Sequence, residues 1–137
     1  MFLWFILTPP HHPFTRIRGI LKNMQIEYAD SFWKQRMGLM FKKDIPDDYV
    51  LIFRFKKPQR LSVHTFFMRF DLDIGFLNEE GRITKTYKNV KPFKRVCSFG
   101  KNFFEMKAGG FDRLGLKEGK RFEYNLNYDR EEKGRNT

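Results

Sequence analysis

A mostly-β fold, a small β-barrel or β-sandwich with one or two short helices, is what this sequence predicts. Apolar runs of strand length recur from Val50 to the C-terminal region, separated by turns rich in Gly, Pro and Asn. Phenylalanine occurs 17 times in 137 residues, and large rings both favour strands and supply most of the buried area of a small core. No run is long enough for a membrane span, which takes about twenty apolar residues, and no periodic stretch has the length of a core helix.

The elements follow in order. Met1 to Pro13 pairs a short apolar run, Phe2 to Leu7, with Thr8-Pro9-Pro10-His11-His12-Pro13. It lacks the basic start, longer apolar run and small-residue cleavage site of a signal peptide. Residues 1–14 therefore read as an upstream extension outside the core, with a short membrane-touching anchor as the minority alternative. Thr15 to Tyr28 has the pattern of a two-stranded ribbon turning at Lys22-Asn23. A short helix follows, capped by Asp30 or Ser31, with Trp33 and Met37 four apart on one face and Gly38 at its end. Lys42 to Tyr49 is a loop.

Val50-Leu51-Ile52-Phe53-Arg54-Phe55 is too apolar for alternation and implies a strand covered on both faces. Lys56 to Arg60, with Pro58, is expected to turn. Leu61 to Phe67 alternates as a second strand, and Leu72 to Leu77 is a third. Asn78-Glu79-Glu80-Gly81 gives the tightest hairpin signal of the chain, and Arg82 to Tyr87 is the return strand. Asn89 to Phe99 is expected to be irregular, punctuated by Pro92 and Gly100. A strand over Asn102 to Met106, a helical turn over Phe111 to Leu114 closed by Gly115, and a last strand from Arg121 to Leu126 complete a single domain over residues 15–126. Residues 127–137 are a polar tail.

Composition narrows the function classes. A lone cysteine, Cys97, excludes an intramolecular disulfide and a multi-cysteine zinc site and suits a reducing cytoplasm. The formal net charge is +11. Such a balance raises the chance of an anionic partner, although the basic residues are scattered among 16 acidic ones. No Walker, dinucleotide-binding or zinc-ligand spacing occurs, so no cofactor or metal site is predicted.

Five segments in order carry a family resemblance. Arg36-Met37-Gly38-Leu39-Met40-Phe41 looks like an Arg-x-x-Gly-Leu-Met-Phe helix exit, with Arg36 one place closer to the glycine than usual. Phe67-Met68-Arg69-Phe70-Asp71-Leu72-Asp73-Ile74 follows, with Asp71 where the pattern usually has proline. Gly81-Arg82-Ile83, Lys91-Pro92-Phe93, and Phe104-Glu105-Met106-Lys107-Ala108-Gly109 with Gly115-Leu116-Lys117-Glu118-Gly119 complete the series. From Thr15 to Asn125 the chain resembles the prokaryotic family called domain of unknown function one-nine-two, also uncharacterised protein family zero-one-two-seven, in its archaeal form. The resemblance implies a compact β-barrel or sandwich and no assigned activity.

Candidate site residues come from chemistry. His64, Arg69, Asp73 and Lys91 are placed at a mouth or groove that takes a small ligand or a protein partner, His64 and Asp73 being the pair to test for proton transfer. The alternative is nucleic acid held by Lys85, Lys88, Lys94, Arg95 and Lys101, which alternate with Tyr87, Phe93 and Phe99. A second alternative is a hydrolase or transferase using Cys97 or His64. Gly109-Gly110 ahead of a helical turn invites a phosphate-cradle reading, against which stands a simple turn of positive φ. A non-catalytic binding module is the leading expectation.

Overall fold

The structure is a computed structural model, and it describes residues 24–29, 35 and 38–122. The expected N-terminal extension, the ribbon's first strand, the C-terminal tail and most of the Asp30–Met37 helix lie outside the described residues.

Among the described residues, five strands form one sheet: β1 (Gln25–Ala29), β2 (Tyr49–His64), β3 (Leu72–Leu77), β4 (Ile83–Val90) and β5 (Arg95–Lys107), and a short helix, α1 (Gly110–Leu114), follows them. Their order across the sheet is β1-β2-β5-β3-β4. β1 runs parallel to β2, and every other pair is antiparallel. The expected mostly-β fold is present. Its sheet is open, since β1 and β4 lie at opposite edges and do not pair to close a barrel.

Both faces of the sheet are covered, as the unbroken apolar run in β2 requires. Leu51, Phe53, Ile74, Phe76 and Phe103 pack on one face with Leu39 and Met68. Val50, Ile52, Leu77, Phe104 and Met106 pack on the other with Phe111 of α1 and Phe122. Ring stacking dominates the packing: Phe53 and Phe103 lie 4.2 Å apart, Phe104 and Phe122 4.3 Å.

Pro58 does not end a strand. β2 is continuous for 16 residues, and the expected turn is a bulge between Arg54↔Asn102 and Gln59↔Gly100. An interruption of the ladder is where a residue without an N–H is tolerated. The bulge strips Phe55 of its ladder partners, and side chains of β5 replace them. Asn102 Oδ1 accepts the Phe55 N–H at 3.2 Å, and Lys101 Nζ donates to the Phe55 carbonyl. Asn102→Ala removes the acceptor from a part-buried amide and is expected to cost about 1–2 kcal/mol in urea unfolding, with faster hydrogen exchange at Phe55. An unchanged midpoint would show that the bulge holds without it.

The region from Asn89 to Phe99 is also more regular than its composition suggests. β4 runs to Val90 and β5 begins at Arg95, leaving a four-residue connection. Gly100 does not punctuate; it lies inside β5, where a Cβ would sit 2.9 Å from the Leu77 carbonyl oxygen. That close backbone approach, and not a turn, is why glycine stands there. Conversely, the strand from Leu61 stops at His64, three residues before Phe67.

The hairpin signal at Asn78 is realised. Asn78 Oδ1 accepts the N–H groups of Glu80 and Arg82 at 3.0 and 2.9 Å, and Gly81 takes φ 78°. α1 ends at Gly115 with φ 68°. Arg121 bridges Arg82, and Phe122 N–H donates to Gly81 O at 2.7 Å. No helix among the described residues is long and apolar enough to cross a membrane.

Candidate functional site: a buried carboxyl pocket on the sheet

The central strand places one acidic side chain in the interior. On β5, Phe103 and Glu105 share a face, and Glu105 stands opposite Leu51 of β2 and Ile74 of β3. Its exposure is 4%. Among the described residues no hydrogen bond reaches its carboxyl. Burial alone pushes its pKa up to about 8, because removal from water disfavours the charged form. At neutral pH the group is mainly the neutral acid, with one O–H to donate and oxygens that accept.

Glu105 lines a pocket of about 50 Å³. Since one water needs roughly 10–15 Å³ by the same measure, the space admits a few waters or the end of a small polar molecule. Apolar walls come from Leu39, Met40, Phe53, Val63 and Met68, and polar groups from Ser62, His64 and Gln35. Gln35 also donates through Nε2 to Arg54 O at 3.0 Å. Gly38 closes the pocket over the acid. Its φ is +51°, and a Cβ there would stand 3.2 Å from the Phe53 ring and 3.9 Å from Glu105 Oε2. Three segments that carry the family resemblance, those around Gly38-Leu39-Met40, Met68 and Glu105, therefore meet at this pocket.

Two titrating side chains flank the acid. Tyr49 lies two residues before Leu51 on β2, and its pKa is pushed up to about 12 by burial and by the nearby Glu105; its hydroxyl donates to Glu27. His64 is lowered below its ordinary value by burial and then by Arg95, its cross-strand neighbour. It stacks on Phe66 with ring centroids 5.0 Å apart, and its Nδ1 accepts the Phe66 N–H at 3.4 Å.

Of the four residues expected to rim one mouth, only His64 lines this pocket. Asp73 is 1% exposed and belongs to the scaffold on the opposite face. Its Oδ1 accepts the Asn89 N–H at 2.9 Å, and its Oδ2 accepts the N–H groups of Gly109 and Phe111 at 3.0 Å each. Asp73 thus holds β4 and the start of α1 to β3, and shares no hydrogen bond with His64. It thereby takes up the Gly109 amide of the expected Gly109-Gly110 cradle and the Phe111 amide beyond it; Gly109 supplies the positive φ, 95°. Lys91 is paired with Asp71 at 2.6 Å, and Arg69 is exposed on the turn after β2.

The basic candidates are dispersed. Lys88 pairs with Asp112 of α1 at 2.9 Å, Lys85 lies over the Tyr87 ring, and Lys101 is engaged with the β2 bulge. Lys94 and Arg95 are exposed beside Phe93. Cys97 pairs across the ladder with Ser62, whose Oγ lies 3.6 Å from its Sγ. His64 stands two residues further on, opposite Arg95, and no hydrogen bond joins the thiol to the imidazole.

Glu105 was absent from the residues singled out by sequence. The signal available was a lone acid in Phe103-Phe104-Glu105-Met106, a run apolar on both sides of the chain. In a strand buried on both faces, any acid within such a run must enter the core.

Fold and site together define a class: a small open-sheet β protein with a buried carboxyl, Glu105, lining a pocket of mixed polar and apolar walls. The family model of domain of unknown function one-nine-two, described as Uncharacterized ACR, matches residues 14–124. The chain belongs to this family. It is 33% identical over 109 residues to a UPF0127 protein of Pyrococcus furiosus, covering 74% of this chain and 88% of that one. A UPF0127 protein of Thermococcus sibiricus is 26% identical over 119 residues, covering 84% and 75%. A crystal structure of a Sinorhizobium meliloti protein described as a candidate transcription regulator is similar with a TM-score of 0.66 at 24% identity, over 70% of this chain and 78% of that one; this likeness concerns the fold alone.

Proposed function

We propose that the chain is a small-ligand-binding β module in which Glu105 is the recognition group. The observation that carries this reading is an acid buried at the floor of a pocket, with no hydrogen bond from the described residues and a pKa pushed up to about 8. Burying a carboxyl without a partner costs stability, and strongly displaced acids cluster where a protein binds or reacts. A bound group that both accepts the acid's proton in a hydrogen bond and donates one back offsets that cost. A carboxamide or hydroxyl fits; the apolar walls suit the carbon skeleton behind it.

Thermal-shift titration with a panel of small amides, polyols and sugars tests the reading. Compounds that stabilise the protein at pH 6.5 are expected to lose most of their effect above pH 8, as Glu105 ionises and loses its donor. Glu105→Gln is expected to retain part of the response and Glu105→Leu none. Ligands whose effect is the same in Glu105→Leu would refute it, as would binding that strengthens as pH rises through 8, the mark of a cation.

A further inference from the structure

We infer that the three turns at one end of the sheet form a stacking platform for single-stranded nucleic acid, which adjoins the carboxyl pocket through Phe66 but is built on Phe41, Phe67 and Phe93, none of which lines that pocket. Phe41, Phe67 and Phe93 are 54%, 54% and 63% exposed, although rings of this size are ordinarily buried. They touch one another in a row. Phe41 stacks on Phe67 at 5.4 Å, Phe67 meets Phe93 edge-on at 5.8 Å, and Phe66 continues the row at 6.4 Å from Phe93.

The backbone beneath them is strained and locked. Phe41, Phe67 and Phe93 all lie at positive φ, 69°, 60° and 62°, and only Asn89 among the other described non-glycine residues does so. A bulky side chain in that region is a true outlier, and such strain persists only where the surroundings over-determine it. Thr65 does so here. Its N–H donates to Lys94 O at 2.8 Å, its hydroxyl donates to Lys91 O at 2.7 Å, and its carbonyl accepts the Phe93 N–H at 3.0 Å. Phe41 N–H donates to Phe67 O at 3.2 Å, tying the third turn to the other two. The rings are therefore presented outward by a fixed frame rather than left over from a loose loop.

Charge decides the partner. The segments 41–43, 66–71 and 91–95 hold six cationic residues and one acidic one, Asp71, which Lys91 already engages. Lys42, Lys43, Arg69, Lys94 and Arg95 are exposed within two residues of one of the rings in sequence, Lys42 lying over the Tyr49 ring, and the next acid along, Asp44, is paired with Lys107. Stacking on aromatic faces combined with a cationic surround is the means by which single strands are held without sequence preference. Anionic lipid is the competing partner for the same chemistry, and the test separates the two.

The experiment is fluorescence anisotropy with labelled oligo(dT) and oligo(U) about 15 nucleotides long, alongside sedimentation with phosphatidylglycerol vesicles. The full chain is expected to bind the oligonucleotides with an affinity that falls steeply with salt. Phe67→Ala with Phe93→Ala should weaken binding ten- to a hundredfold at constant salt without changing the salt slope. Arg69→Ala and Lys94→Ala should each reduce the slope by about one. Phe67→Asn with Phe93→Asn, residues that accept positive φ, guards against loss of fold and should weaken binding equally. Neither ring lines the carboxyl pocket, so Glu105→Leu should leave oligonucleotide binding intact. No binding at low salt, equal binding by the phenylalanine variants, or binding to vesicles and not to oligonucleotides would each overturn the inference.

Discussion

Replacing Asp73 with alanine is expected to lower the unfolding free energy by about 3–5 kcal/mol, among the largest effects of any single change to this chain. Three backbone N–H groups, from Asn89, Gly109 and Phe111, lose their acceptor at once. The site is buried, so water cannot replace that acceptor without opening the junction of β3, β4 and α1. Asp73→Asn should fall between, since an amide keeps one oxygen and turns an N–H₂ toward the remaining donors. Urea unfolding followed by circular dichroism reads the difference. A midpoint for Asp73→Ala equal to wild type would show that the junction does not depend on the carboxyl, and would reopen a ligand role for Asp73.

Glu105 gives the second large effect, of opposite sign and with a pH signature. Its folded pKa is raised to about 8 from an ordinary value of 4.5. Between those values the folded protein holds a proton that the unfolded chain releases. Its contribution is therefore fully present below about pH 4.5, declines as pH rises, and is lost above about pH 8. At 1.36 kcal/mol per unit, the loss across the window is on the order of 3–5 kcal/mol. Glu105→Gln has no proton to lose. The difference in stability between variant and wild type is expected to grow in favour of the variant from pH 5 to pH 8 and then to level off. Taking the difference removes the other titrations, including His64, whose lowered pKa works in the opposite direction below neutrality. Parallel pH profiles for the two proteins would contradict the assignment.

Much of the scaffold is legible in the residues themselves. The unbroken apolar run from Val50 announces a strand buried on both faces, Asn78 to Gly81 announces its hairpin, and Gly115 closes the helical turn it follows. What misleads is punctuation. Pro58 reads as a break because a proline lacks a ladder hydrogen bond, yet it sits in a bulge of a continuous strand, where Asn102 and Lys101 hold the Phe55 backbone from the neighbouring strand. Gly100 reads as a turn because glycine permits one, whereas its role is to let β5 approach the Leu77 carbonyl. Both roles are set by a strand distant in sequence.

The candidate site was less legible for the same reason. Asp73 and His64 are chemically attractive, and both lie in or beside the most family-like segment. Sheet parity nevertheless turns Asp73 toward α1 and leaves His64 at the pocket. Glu105 had no such appeal, since nothing beside it in sequence is polar. Its significance comes from Gly38, Met68 and Phe53 converging above it, and that convergence requires the order β2-β5-β3. Phe93 stands out in the sequence as a ring interleaved with lysines, whereas Phe41 and Phe67 look like core by composition, and only their backbone conformation and exposure set them apart.

The central claim is that Glu105 carries a proton in the folded protein at neutral pH. A carbon-detected NMR titration of the glutamate side-chain carboxyls, with Glu105→Gln to assign the resonance, measures it directly. The predicted result is one carboxyl that titrates near pH 8 while the other glutamates titrate at ordinary values. A Glu105 midpoint between 4 and 5 would contradict the account.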